Sequence, residues 1–122
     1  MKRILLLLFI TCALSCNSED ECEKEIAECN FDSPTEDLFW LKEYVESVEN
    51  SELADYFYVL QGEYNGQPVF IINGNCCPHC DTRPMAVMDC NGNEMFTYLS
   101  EEGEKVSNEK VIWKTANMNC DI

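Results

Sequence analysis

Thiols and the only imidazole of this chain gather at one point, Cys76-Cys77-Pro78-His79-Cys80. Two thiols spaced by two residues can close a disulfide and reopen it. The first thiolate of such a pair becomes reactive when a helix N-terminus or a cation lowers its pKa. Cys77, His79 and Cys80, with Cys76 beside them, are also ligand types suited to zinc or copper(I), and Met85 and Met88 lie close in sequence as soft donors. The third use is structural, with the thiols consumed in fixed bridges. Compartment and local fold decide among the three.

The tetrad Cys77-Pro78-His79-Cys80 resembles the active site of strongly oxidising periplasmic thiol oxidoreductases. In that setting it opens a helix of a thioredoxin fold. Here it runs into Asp81-Thr82-Arg83-Pro84, and Pro84 interrupts any helix just begun. The 42 residues after Cys80 read as strands. Structural zinc sites usually draw on two separated ligand pairs, and Met85 and Met88 at strand spacing around Val87 fit packing. Fixed disulfides are the expected use, with thiol-redox or metal handling through Cys77, His79 and Cys80 as the alternative. No catalytic residue, resident metal or cofactor is assigned.

Compartment supports that order. Nine cysteines in 122 residues belong where thiols can be oxidised. Met1-Lys2-Arg3 is a positive n-region, and the apolar run Ile4–Ile10 is far shorter than the roughly 20 residues needed to span a bilayer. Residues 1–15 therefore read as a signal peptide. The sequence Ala13-Leu14-Ser15-Cys16 resembles the lipobox of bacterial lipoproteins, in which the cysteine receives diacylglycerol before cleavage; Cys12, after Thr11, fits that pattern less well. Cys16 is the expected lipidation site, and its acyl chains anchor the product to a membrane. The acidic stretch Asn17-Ser18-Glu19-Asp20-Glu21 resembles the signal that sends Bacteroidota lipoproteins to the outer face of the outer membrane, and otherwise reads as a solvated linker. The predicted location is an outer membrane anchor facing the cell exterior or, failing that, the periplasm.

With Lys2 and Arg3 lost in the leader, 6 basic residues stand against 23 acidic ones, a net charge of −17. Such a field repels nucleic acid, so a DNA- or RNA-binding role is excluded. A basic partner remains compatible.

The elements that must position the cysteine loop come next. Residues 16–32 read as an acidic tether and 33–122 as one small α+β domain. Ser33-Pro34-Thr35-Glu36 is a capping box with proline at the first helical position, and Leu38, Leu41, Val45 and Val48 share a face. A helix is expected over about 34–49. Tyr56–Leu60, Val69–Ile72, Met85–Met88, Met95–Leu99 and Val111–Trp113 read as strands. Asn65-Gly66 and Asn91-Gly92 mark type I′ hairpins. The result is one N-terminal helix packed on a four- to five-stranded antiparallel sheet, supported by disulfides. Trp40, Tyr44 and Trp113 suit core packing or exposed contact with sugar or peptide. Glu101-Glu102-Gly103-Glu104 reads as an exposed turn without the burial that acid–base chemistry needs.

Asp37-Leu38-Phe39-Trp40-Leu41-Lys42, then Tyr64-Asn65-Gly66-Gln67-Pro68-Val69-Phe70 and the pair Cys76-Cys77, resemble a family of small Bacteroidota lipoproteins. The likeness covers about 36–99 and implies fold and location, with no activity attached. Pro78-His79-Cys80 departs from that pattern.

Seven cysteines remain once Cys12 is cleaved away and Cys16 is acylated, so one is left over. In a simple meander the turns at 65–66 and 91–92 lie at one end of the sheet and the 74–84 loop at the other. Cys90 and Cys120 then share the turn end with Cys29 close by, which favours Cys90–Cys120, or Cys29 with one of them. Cys76, Cys77 and Cys80 find partners locally or in the tether, and Cys76 and Cys77, as neighbours pointing to opposite faces, find different ones. The functional expectation is a membrane-anchored binding module for a macromolecular partner, with no enzymatic role assigned.

Overall fold

A computed structural model of the chain describes residues 29–80 and 83–122. The expected signal peptide, lipidated Cys16, Cys22 and most of the tether lie outside the described residues. Among the described residues, no helix is long and apolar enough to cross a membrane.

Two helices precede the strands among the described residues, α1 at Pro34–Asp37 and α2 at Phe39–Glu49. The single helix expected over 34–49 is thus divided at Leu38, which is extended (φ −88°, ψ 109°). The capping box does not form. Ser33 makes no side-chain cap, and its carbonyl instead accepts the N–H groups of Glu36 at 2.9 Å and Asp37 at 3.0 Å. Position overrides local preference here: α1 sits against the last strand with Pro34 buried, whereas α2 lies across the core, and one straight axis cannot do both. The Leu38 carbonyl restarts the helix by accepting Lys42 N–H at 2.9 Å. Leu41 and Val45 of α2 are then buried, while Glu43, Glu46 and Glu49 face water.

Five strands follow: β1 Phe57–Tyr64, β2 Gln67–Asn75, β3 Ala86–Met88, β4 Glu94–Thr97 and β5 Ser107–Lys114. They form one sheet in the order β4-β3-β2-β1-β5, antiparallel throughout. Asn65 (φ 50°) and Gly66 (φ 76°) make the type I′ turn between β1 and β2. The second hairpin differs from expectation. Of Asn91 and Gly92, only Gly92 (φ 79°) is left-handed. Gly92 N–H donates to Asp89 O at 3.1 Å and Asp89 N–H to Asn93 O at 2.9 Å, closing a three-residue connection. The Asp89 carboxylate accepts the N–H groups of Asn91 and Asn93, both at 2.9 Å, and supplies the turn chemistry that a bare Asn-Gly lacks.

The core has two sides. Toward the helix lie Cys29, Leu41, Val45, Val59 and Phe70, with Trp40, Tyr44, Ile112 and Trp113 half-buried around them. Toward the other side lie Val69, Ile71 and Val87, bordered by Leu60, Tyr64, Phe96, Tyr98 and Val106. Burial on both faces explains why β2 reads Val69-Phe70-Ile71-Ile72 without polar alternation. Trp40, Tyr44 and Trp113 therefore pack against the core, and Trp40 meets Phe70 edge-on at 5.9 Å between ring centroids.

The second face is covered by residues 98–106, which carry the chain from β4 back across the sheet to β5 on the opposite edge. This corrects the meander. A hairpin would place β5 beside β4, whereas β5 pairs with β1. The segment is no free turn. Gly103 is buried, and a Cβ there would overlap the Tyr98 carbonyl. Tyr64 donates its hydroxyl to Glu102 at 2.5 Å, and Lys105 Nζ meets the same carboxylate at 2.6 Å. The hydrogen bonds from Lys105 and Tyr64 lower the Glu102 pKa. Tyr98 donates to Glu109 at 2.8 Å.

Gly103→Ala is expected to cost about 2–4 kcal/mol in urea unfolding, because the close backbone approach must break. Leu99→Ala on the same segment, at a position 84% exposed, stays within about 0.5 kcal/mol. Burial and then the Glu109 hydrogen bond raise the Tyr98 pKa from 10.0 to about 12. A raised phenol favours the folded state while protonated, so its contribution is complete below pH 10 and disappears as pH rises through about 12. Burial also raises the Tyr44 pKa and the Glu102 hydrogen bond that of Tyr64, so ultraviolet phenolate titration is expected to show several late tyrosines, with one fewer in Tyr98→Phe.

Candidate functional site

The β1–β2 and β3–β4 turns define one end of the sheet, and the loop joining β2 to β3 defines the other. A disulfide ties each end. At the turn end Cys29 joins Cys90 across 5.9 Å between Cα atoms. Trp40 reinforces this corner by donating Nε1–H to Cys90 O at 2.8 Å. Its ring lies where a Cβ on Gly92 would stand, 2.7 Å from Trp40 Cγ. Cys29 is 2% exposed and part of the core. Cys29, four residues before the expected boundary at 33, is thus part of the folded body, tied in by its bridge.

At the loop end Cys76 joins Cys120, with Cα atoms 5.6 Å apart. Cys76 N–H donates to Tyr56 O at 3.0 Å, continuing the β1–β2 ladder by one bond. The C-terminal segment docks alongside: Asn119 N–H reaches Asp55 O at 2.8 Å and Thr115 donates its hydroxyl to the Asp55 carboxylate at 2.5 Å. Cys77 pairs with Cys80, 5.4 Å between Cα atoms, around the exposed Pro78 and His79.

The Cys90–Cys120 pairing is corrected, and strand direction is the cause. Beside β4, strand β5 would run toward the turn end and deliver Cys120 to Cys90. Beside β1 it runs the other way, toward the loop end, so Cys120 meets Cys76. The same change removes the local or tether partner expected for Cys76, and Cys90 takes Cys29, which is the alternative expected for that end. Cys76 and Cys77 do have different partners.

The cysteine loop stands apart from the regular elements. Cys77–Cys80 leaves β2 as an irregular turn, and only residues 81 and 82 separate Cys80 from the irregular stretch Arg83–Met85 that leads into β3. No helix occurs among the described residues of this stretch. Among the described residues no group of three or more His, Cys, Asp or Glu is arranged to hold a metal ion, and the thiols of Cys77 and Cys80 are engaged with each other. Met88 packs toward the helix and Met85 toward the opposite face, on different sides of the sheet from one another. Glu102, with its pKa lowered, holds a charge instead of a transferable proton. The signal missed in the sequence is Tyr44: its hydroxyl accepts Asn73 N–H at 2.8 Å and donates to Asn73 Oδ1 at 3.3 Å, fixing a left-handed residue (φ 61°) just before the loop. An Asn-Gly pair at 73–74 is the only trace of it in the sequence.

No family model, curated protein or solved structure matches the chain.

Loop size separates the three bridges energetically. Cys29–Cys90 and Cys76–Cys120 span 61 and 44 residues and Cys77–Cys80 spans 3, for which chain entropy gives about 4, about 4 and about 2 kcal/mol. Cys76→Ser with Cys120→Ser is therefore expected to lower stability in urea by about 4 kcal/mol, and Cys77→Ser with Cys80→Ser by about 2 kcal/mol or less.

Proposed function

We propose that this chain is an exported lipoprotein whose disulfide-bonded domain, held to a membrane through acyl chains on Cys16, presents its loop end to a macromolecular partner. The observation that carries this reading is that cysteines 61 and 44 positions apart meet as bridges at opposite ends of one small sheet. Such pairs persist in oxidising compartments and not in a reducing cytosol. The leader over 1–15 and the lipobox at Ala13–Cys16 supply the route and the anchor. The likeness over 36–99 to Bacteroidota lipoproteins and the acidic residues after Cys16 favour the outer membrane, facing the exterior.

Polarity follows from the bridges. Cys29, where the tether enters, belongs to the turn end through Cys90. The 76–85 loop lies at the far end of β2, whose nine residues extend roughly 30 Å. In an anchored domain the loop is thus held away from the bilayer, and a tether of twelve residues between Cys16 and Cys29 leaves it free to meet a partner. The surface is strongly acidic, so a partner with a basic face is favoured electrostatically and nucleic acid is not.

Labelled palmitate is expected to incorporate into the wild-type chain and not into Cys16→Ala, which should be recovered in the soluble fraction. Protease added to intact cells is expected to remove the domain. Incorporation that survives Cys16→Ala, or an intact leader on a cytosolic product, refutes the anchor; full protection from protease refutes the outward orientation.

A further inference from the structure

The geometry points to Cys77–Cys80 as an exchangeable disulfide, a thiol-redox site distinct from the two bridges that hold the fold and directed at dithiols or disulfides of other proteins. This inference rests on the loop itself and stands whether or not Cys16 is acylated.

Three observations carry it. First, the bridge closes only the ring 77–80, so opening it frees two residues and no element of the sheet. Second, the chain is fixed on the strand side of the loop. Cys76 is bonded to Cys120 and hydrogen-bonded to Tyr56, so β2 keeps its register whatever the state of Cys77 and Cys80. Third, Cys77 and Cys80 are half-buried and the two residues between them, Pro78 and His79, are exposed, which leaves an incoming thiolate a side from which to approach. Cys29–Cys90 offers the contrast, with Cys29 sealed in the core. Chain entropy gives so short a ring about half of what it gives each long bridge, so opening it costs the fold least.

The exchange balances without a further co-reactant. A thiolate of a partner dithiol attacks one sulfur of Cys77–Cys80, the S–S bond breaks, and the other cysteine departs as a thiolate that takes up a proton. The partner's second thiolate attacks its own sulfur in the mixed disulfide and releases the second cysteine. The partner becomes a disulfide and the loop a dithiol, with two electrons and two protons moved. The reverse reduces a partner disulfide.

The full chain in its membrane, treated with increasing reduced glutathione, quenched, alkylated and mapped by peptide mass spectrometry, tests the site. Cys77 and Cys80 are expected to become alkylated at glutathione concentrations about tenfold or more below those that open the other bridges. The wild type is also expected to accelerate glutathione-dependent reduction of insulin disulfides. The double variant Cys77→Ser, Cys80→Ser should lose that acceleration while still unfolding cooperatively in urea. Wild type selectively reduced and alkylated at these two thiols should match the variant, which removes any concern over its folding. Opening of all three bridges together, or insulin reduction unchanged by blocking Cys77 and Cys80, overturns the inference.

Discussion

The covering of the second sheet face by residues 98–106 is the constraint on which the rest of the structure depends. Val69, Ile71 and Val87 are buried with Tyr98 and Val106 of this segment packed against them, alongside Leu60, Tyr64, Met85 and Phe96. A sheet with one helical face would leave these side chains in water and lose the burial that dominates stability in so small a domain. The crossing also carries the chain from one edge of the sheet to the other, which sets the direction of β5. That direction decides which end receives the C-terminal segment, and so which cysteine Cys120 can reach.

The domain is closed covalently at both ends, and its charge makes the reason plain. The chain carries a net charge of −15, and Lys105–Glu102 is the only salt bridge among the described residues. Self-repulsion opposes compaction, and exposed ion pairs do little against it. Disulfides shrink the unfolded ensemble regardless of charge, pH or salt. Trp40 works with the first of them, filling the space above Gly92 and bonding to Cys90 O, so that packing and covalent closure act on one corner. Tyr56 and Asp55 play the equivalent part for the second, holding the Cys76 amide and the C-terminal segment.

The cysteine loop inherits its character from this arrangement. Because Cys76 is committed to Cys120, the register of β2 does not depend on the tetrad that follows, and the described residues between Cys80 and β3 form no helix. What is left is an accessible pair on a rigid foot, placed at the end of the sheet opposite Cys29. The vicinal cysteines have different partners, Cys120 for Cys76 and Cys80 for Cys77.

Local chemistry in the sequence determined much of this. The apolar face of the helix, the strand segments, the type I′ turn at Asn65-Gly66, the association of cysteine density with disulfides, and the separate fates of Cys76 and Cys77 all depend on residues close in sequence, where propensity and periodicity act directly. The α+β architecture followed from their order. Tertiary structure alone decided the break at Leu38, where docking of Pro34 against β5 outweighed a capping box. It also decided the three-residue turn at Cys90–Gly92 and the edge to which β5 returns. The Glu101–Glu104 run looks like a solvated turn, and nothing near it in sequence shows that Gly103 lies against the Tyr98 backbone over a buried face. Cysteine pairing belongs to the same class. A bridge is a contact between distant positions, and reversing one strand exchanges the ends of the sheet, so no inspection of spacing could distinguish Cys90 from Cys76 as the partner of Cys120.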